Sequence, residues 1–223
     1  MKKTTACAIG IGTYLAGLAV GYQVILRSRC LEWGSTKEEV ARAMPGDDLL
    51  TDPDIVATRS ITINAAPERI WPWLVQMGPG RGGAYTYDWI ENLLGLDMHS
   101  ADTILPQFQN LSVGDTFALG DTGPRMRVAV LEPEHALVFA SEDGHWVWAF
   151  GLYPSDEGTR LVSRNRIALP DATVPMRVFN RLIMEPGSWV MERKMLLGIK
   201  QRAEREQEAP VGAVSDTPTP VGG

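Results

Sequence analysis

The sequence predicts an α+β domain in which an antiparallel sheet carries its helices on one face. Five strand-like runs crowd into residues 115–169, separated by pieces too short to hold a crossover helix, so neighbouring strands must run antiparallel. One strand-like run and two short helical stretches come before them, and a long helical pattern follows, ending near Glu208. Strands gathered in one block and helices in others is the ordering of α+β packing, not of alternating α/β units.

The first element is an apolar run, ACAIGIGTYLAGLAVGYQVIL, which covers residues 6–26 without a charge. That matches the ~20 residues a helix needs to cross a bilayer. A cleaved signal peptide would need a small-x-small site after the run, and RSRC stands there instead. Residues 1–26 are therefore read as a single-pass N-terminal membrane anchor, a transmembrane helix. Lys2 and Lys3 precede the run, while Arg27, Arg29, Lys37 and Arg42 follow it. By the positive-inside rule this places the domain on the cytoplasmic side. Residues 27–54 read as a linker, with a short helix at Thr36–Met44 and a turn at Pro45-Gly46-Asp47.

The domain itself is expected at residues 55–208. IVATRSITI (55–63) alternates and is rich in β-branched residues, with Ile61 and Ile63 on one face, which reads as a strand. Pro67 suits a first helical turn. Ile70, Trp73, Leu74 and Met77 then keep helical spacing through Pro72, which removes one backbone bond and bends the segment. A second helix, YDWIENLLGL (87–96), sets Trp89, Ile90, Leu93 and Leu94 on one stripe. Strands are expected at Asp115–Leu119, Met126–Leu131, Ala136–Ala140, His145–Tyr153 and Thr159–Leu169, with the turn-forming pieces GDTGP, EPEH, SEDG and PSDEG between them. Helical pattern resumes near Val174, breaks at Pro186-Gly187, and brings Trp189, Met195, Leu196, Ile199 and Ala203 near one another around the helix. The final stretch, residues 209–223, is rich in Pro, Gly and small residues and reads as a disordered tail.

Composition narrows the function. A chain of 223 residues, 44% hydrophobic, is long enough for one sizeable core. A net charge of -6 argues against a nucleic-acid partner, which would call for a basic face. Cys7 and Cys30 both precede the domain, so no disulfide is expected inside it. With no cysteine there and no H-x-x-x-H spacing, no metal site is expected, and no cofactor. Gly78, Gly80 and Gly83 spell G-x-G-x-x-G within QMGPGRGGAYTYDWIENLLG (76–95). A dinucleotide loop needs strands alternating with crossover helices, and nothing after residue 110 alternates. The glycines read instead as a tight connection between two short helices.

Five stretches together carry a resemblance: ITINAAPERIWPWLVQMG, VGDTFAL, RVAVLEPEHALVF, HWVWAFGLYPSDEGTRLVSRNRI and MERKMLLGIKQRAE. Over roughly residues 55–205 the chain resembles the START / Bet v 1-like superfamily, also called SRPBCC or polyketide cyclase/dehydrase-like proteins, and within it a bacterial branch. The resemblance implies a helix-grip fold: a curved antiparallel sheet around the long C-terminal helix, an apolar cavity between them, and two short helices closing one end. It also implies a cargo. Relatives carry lipids, sterols, plant hormones or polyketides, and a minority catalyse cyclisation or dehydration. The superfamily has no shared catalytic motif to carry across, and one fold hosts many functions.

Candidate ligand-binding residues follow from strand alternation. HWVWAFGLY puts Trp146, Trp148 and Phe150 on one face, a large apolar surface suited either to a flat hydrophobic ligand or to plain core packing. In TRLVSRNRIAL, Leu161, Ser163, Asn165 and Ile167 share a face. If that face is inward, Ser163 and Asn165 need partners, either water or a ligand oxygen. Arg160, Arg164 and Arg166 occupy the other face and read as solvated surface. Arg81, flanked by glycines, could offer its guanidinium to an anionic head group or simply meet solvent. For catalysis the weak candidates are His99 and Asp102, three apart in DMHSAD, where a carboxylate could orient an imidazole base.

The expected function is binding or transport of a hydrophobic or amphipathic small molecule, such as a lipid or polyketide-like compound, by a domain tethered to the membrane through residues 6–26. Two alternatives remain: a cavity enzyme of the cyclase, dehydratase or hydrolase type, and an interaction module whose core is filled and ligand-free.

Overall fold

The computed structural model of the protein describes residues 26–120 and 123–208, together with Gly17 and Gly21. The expected anchor at residues 6–26, apart from Gly17, Gly21 and Leu26, and the expected tail at residues 209–223 lie outside the described residues. Among the described residues no helix is long and apolar enough to cross a membrane.

Six strands form one sheet: β1 (Ile55–Ile63), β2 (Thr116–Ala118), β3 (Arg125–Glu132), β4 (Ala136–Ser141), β5 (Trp146–Ser155) and β6 (Gly158–Ile167). Their order across the sheet is β1-β6-β5-β4-β3-β2, and every neighbouring pair is antiparallel. Successive strands from β2 to β6 are thus neighbours, as their short turns require, and β1 closes the far edge against β6. The helices are α1 (Arg27–Leu31), α2 (Lys37–Ala41), α3 (Pro67–Val75), α4 (Asp88–Leu93), α5 (Val174–Phe179) and α6 (Glu185–Glu208). A long C-terminal helix packed on such a sheet is the helix-grip arrangement.

Between α5 and α6 lies a π-helical turn, Asn180–Met184, so the interruption expected at Pro186-Gly187 falls a few residues earlier. Pro186 donates no hydrogen bond and its ring crowds the carbonyl four residues back. The wider π turn over that carbonyl absorbs both defects and lets the helix continue.

Alternation along the strands separates two faces. On the concave face, cross-strand rows such as Ala57–Asn165–Trp148–Phe139–Val128 run across the sheet. Against them α6 presses Met195, Leu196, Ile199 and Ala203, all at most 1% exposed, and α3 adds Ile70, Trp73 and Leu74. Burying each large apolar side chain stabilises the fold by about 1.5–3 kcal/mol, so this layer holds the helix in its grip.

The convex face departs from the expectation of a linker and a solvated arginine row. Residues 34–52 strap across it: Met44 packs on Val138, Ala140, Val147, Ala149 and Val162 in a second core, while residues 27–33 lie on the other side, against α6 and the concave face. Arg164 is buried under the strap and donates to Thr58 Oγ1, Asp47 Oδ2 and the carbonyls of Glu39, Val40 and Arg42, at 2.7–3.0 Å. Arg160 forks onto both carboxylate oxygens of Glu39 at 2.8 Å. Burial alone would raise the Glu39 carboxyl, but hydrogen bonds from Arg160, the Thr36 backbone and Ser60 outweigh it and hold the group below its ordinary value. The row of arginines is therefore a row of clamps. The strap looks like a linker because the arginines that clamp it, Arg160, Arg164 and Arg166, lie on a strand more than a hundred residues away.

One helix faces the other way from its pattern. Of the expected stripe, Trp89 and Leu93 of α4 and Leu94 just after it are 69–79% exposed and Ile90 is half-buried, while Glu91 is buried.

Candidate functional site

Between the concave face and the first half of α6 lies a cavity of about 430 Å³. β1 contributes Ile55, Ala57 and Arg59, β5 contributes Trp146 and Trp148, and α6 contributes Ser188, Met191 and Glu192. Thr86 and Glu91 close one side, and the exposed residues Asp143 and His145 stand at the rim.

The two indoles stack: their centroids are 5.9 Å apart and their planes 18° from parallel. Each ring nitrogen is fixed from behind. Trp148 Nε1 donates to Ser163 Oγ at 3.0 Å, and Trp146 Nε1 donates to Asn165 Oδ1 at 2.8 Å. Both partners in turn hang on one carboxylate, because Ser163 Oγ donates to Glu192 Oε1 at 2.6 Å and Asn165 Nδ2 donates to Glu192 Oε2 at 3.1 Å. Arg59, fully buried, completes the network. Its Nη1 pairs with Glu192 and with Ser188 Oγ, and its Nε donates to the Cys30 carbonyl at 2.8 Å. Burial pushes the Glu192 carboxyl above its ordinary value, and the Arg59 guanidinium and the Ser163 hydroxyl pull against that.

Three buried polar atoms of the residues lining the cavity lack a hydrogen-bond partner among the described residues: Arg59 Nη2, Glu91 Oε2 and Thr86 Oγ1. Burial raises the Glu91 carboxyl, and the neighbouring Thr86 hydroxyl offsets part of the rise without a hydrogen bond of normal geometry. An unpaired buried donor or acceptor costs roughly 1–3 kcal/mol, so a ligand oxygen meeting any of these groups would gain from satisfying it.

The structure thus brings Trp146, Trp148 and Asn165 to the cavity wall. Ser163 lies behind Trp148 as its support, and Phe150 sits deeper, 1% exposed, against Phe139 and Trp148 in the core. Arg81 is elsewhere. It locks the glycine loop by donating to the Val75 and Phe108 carbonyls, both at 3.1 Å, with its guanidinium 4.7 Å from the centre of the Phe108 ring. That loop is tight: Gly78 and Gly83 bond each other's backbones at 3.0 and 3.2 Å, and the left-handed φ of Gly83, 69°, is one that a side chain resists. His99 and Asp102 are not brought together. His99 is exposed and lies 3.3 Å from Asp97, while Asp102 pairs with Arg202 at 2.9 Å. Among the described residues no cluster of three or more His, Cys, Asp or Glu side chains could hold a metal ion.

Sequence reasoning missed Arg59 and Glu192, and it read Glu91, with Asp88 three residues before it, as capping or solvating the second helix in preference to an acid–base pair, whereas the side chain is buried. The first two had a signal. Arg59 shares the strand face of Ile61 and Ile63, and Glu192 shares the helical stripe of Met195, Leu196 and Ile199. A lone cation and a lone anion on two facing apolar surfaces must find each other. The pattern gave no sign that Glu91 is buried, because its helix turns most of its apolar stripe outward.

No protein-family model matches the chain, and no curated protein matches it. Several solved structures do. A protein of Mesorhizobium loti, MLL2253, is 18% identical, with 68% of this chain and 98% of that chain covered and a TM-score of 0.41. The Polyketide_cyc-like protein Cgl2372 of Corynebacterium glutamicum is 18% identical, covering 69% and 93%, with a TM-score of 0.38. An AHSA1-like protein of Aeromonas hydrophila is 17% identical, covering 69% and 94%, with a TM-score of 0.39.

Proposed function

We propose that the protein binds an amphipathic small molecule in this cavity, with its apolar part against the stacked Trp146 and Trp148 and an acceptor oxygen at Arg59 Nη2. The observation that carries the reading is the pairing of an apolar space of about 430 Å³ with a buried, unpartnered donor on its wall. Ligand pockets are typically 300–1,000 Å³, mostly apolar, with few placed polar groups. A filled, ligand-free core does not fit a space of this size. The uncharged run at residues 6–26 supports placing the cavity beside a membrane, where such a molecule dissolves.

A second reading is favoured by one observation. Glu91, its carboxyl raised by burial, could serve as a general acid toward a bound carbonyl or hydroxyl. The cavity would then be the active site of a cyclase or dehydratase, with Glu91 in the role that the sequence offered to His99 and Asp102.

The test is native mass spectrometry of the full chain released from detergent, followed by solvent extraction. A discrete bound mass that passes into solvent is expected. A clean apo mass, unshifted after incubation with fatty acids and flat aromatic phenols, would count against binding. Turnover of any extracted compound that is lost in Glu91→Gln, with its affinity kept, would select the enzyme.

A further inference from the structure

The cavity mouth is bordered by apolar surface that no other part of the described chain covers. In α5 four of six residues, Val174, Met176, Val178 and Phe179, are apolar and 50–75% exposed. The π turn continues the surface with Ile183 and Met184 at 57% and 51%. Asn180 and Met184 of that turn also line the cavity, as does Glu91 of α4 across the mouth, whose outer face carries Trp89, Leu93 and Leu94. Exposed apolar surface contiguous over several side chains marks a docking site more often than chance.

The chain itself says what docks there. Arg27 forks onto Glu185, with Nε to Oε2 at 2.9 Å and Nη2 to Oε1 at 3.0 Å, and the Glu185 side chain is only 4% exposed. This pair fixes Arg27, the residue that follows the uncharged run of residues 6–26 in the sequence. The pair lies at the first residue of α6, directly after the π turn and on the cavity wall. The sequence joined to this point, uncharged over residues 6–26, is of bilayer-spanning length. Arg29 and Arg181, both exposed and without an ion-pair partner among the described residues, lie in the same two regions, where cations meet anionic head groups. Trp89 at the far side of the mouth suits the interfacial zone, where Trp is enriched.

We propose that the exposed face of α5 and the π turn, with Trp89 and Leu93 of α4 and Leu94 after it, rests on a lipid bilayer, the phase that the uncharged run preceding Arg27 suits. The cavity mouth then faces the membrane surface, and the other end of the sheet, where β5 turns into β6, points away from it. The surface stands independently of which ligand the cavity holds.

The test uses the full chain in vesicles of phosphatidylcholine and phosphatidylglycerol. Cys7→Ser leaves Cys30, which is buried, and a cysteine is added by Ile183→Cys, Leu94→Cys or Glu157→Cys. Each replaced residue is exposed, and Glu157 lies in the β5–β6 turn, so folding is undisturbed. Each is labelled with an environment-sensitive fluorophore and challenged with lipids bearing a nitroxide near the head group. Labels at 183 and 94 are expected to shift to the blue and lose most of their emission, while the label at 157 keeps its own. Three results would overturn the proposal. The chain fails to float with vesicles; or it floats while 183 is quenched no more than 157; or 183 is shielded equally without lipid, through a second copy detected by cross-linking. Failure here leaves the cavity reading intact, because that reading is scored by bound mass.

Discussion

Replacing Glu192 by methionine keeps the volume of the side chain and removes its charge. Arg59, with no exposure, would then hold a guanidinium against only the Cys30 carbonyl and Ser188 Oγ, while Ser163 and Asn165 would each lose an acceptor. Breaking a buried pair by removing one partner costs about 3–5 kcal/mol, a large share of the ~5–15 kcal/mol that holds a domain together. Glu192→Met is therefore expected to lose about 3–5 kcal/mol. Arg59→Met leaves the carboxylate unpaired instead, but that group has an escape, because it can take a proton. A carboxyl whose folded-state value is raised contributes stability that is complete below its unfolded value and lost as pH rises, so the Arg59→Met loss should shrink toward acid pH. The double variant removes both charges. Apolar replacement of a whole buried pair is often neutral or stabilising, although the stranded Ser163 and Asn165 donors still cost about 1–3 kcal/mol each. The double loss should thus fall well below the sum of the singles. The assay is equilibrium urea unfolding followed by tryptophan emission and far-ultraviolet circular dichroism. Near-ultraviolet dichroism adds a specific readout, since the stacked indoles should lose their fixed orientation in Glu192→Met. Single losses that simply add in the double variant, with the indole signal unchanged, would refute the network.

Three further outcomes are expected. In Glu91→Gln the carboxyl that burial raises is gone, so the variant should match the parent in acid and exceed it in thermal stability as pH climbs above the ordinary carboxyl value of 4.5; a difference that does not vary with pH would exclude the raised carboxyl. In Gly83→Ala the new Cβ would lie 2.8 Å from the His99 carbonyl at a φ of 69°, costing at least about 1–2 kcal/mol. Gly80→Ala, where that space is open, should cost less in the same denaturant titration, and equal losses would remove the close-approach argument. Arg164→Lys offers three donors where five acceptors are engaged and should destabilise by about 1–3 kcal/mol. It should also open the strap at residues 34–52 to limited proteolysis, and unchanged cleavage would mean the strap is held by Met44 alone.

Much of the architecture was legible because it rests on short-range chemistry. Hairpin turns, period-two alternation and the apolar stripe of α6 all act between residues close in sequence, and β1 appears at residues 55–63 as read. What escaped was decided at long range. The strap looked like a linker because its cores are Met44 and a few arginine acceptors, whose partners lie on β4, β5 and β6. The second short helix could be read as a helix but not aimed. Its stripe pattern gives a face and no direction, and the direction came from Glu91 turning to the cavity.

The polar network makes sense of one oddity in the candidate residues. Ser163 and Asn165 were legible as inward polar groups needing partners, and each found one in an indole and one in Glu192 instead of in the cavity space. Stability alone does not account for this, because apolar residues of equal volume would serve a plain core as well or better. What the network adds is orientation. A tryptophan held only by packing keeps some rotational freedom, whereas Trp146 and Trp148 are each pinned at the ring nitrogen to groups that a single ion pair fixes between β1 and α6. A wall held this rigidly has its entropy cost met at folding, so a ligand placed against it would lose less on binding. This is the reason to expect that damage to Arg59 or Glu192 weakens ligand affinity even in variants that still fold.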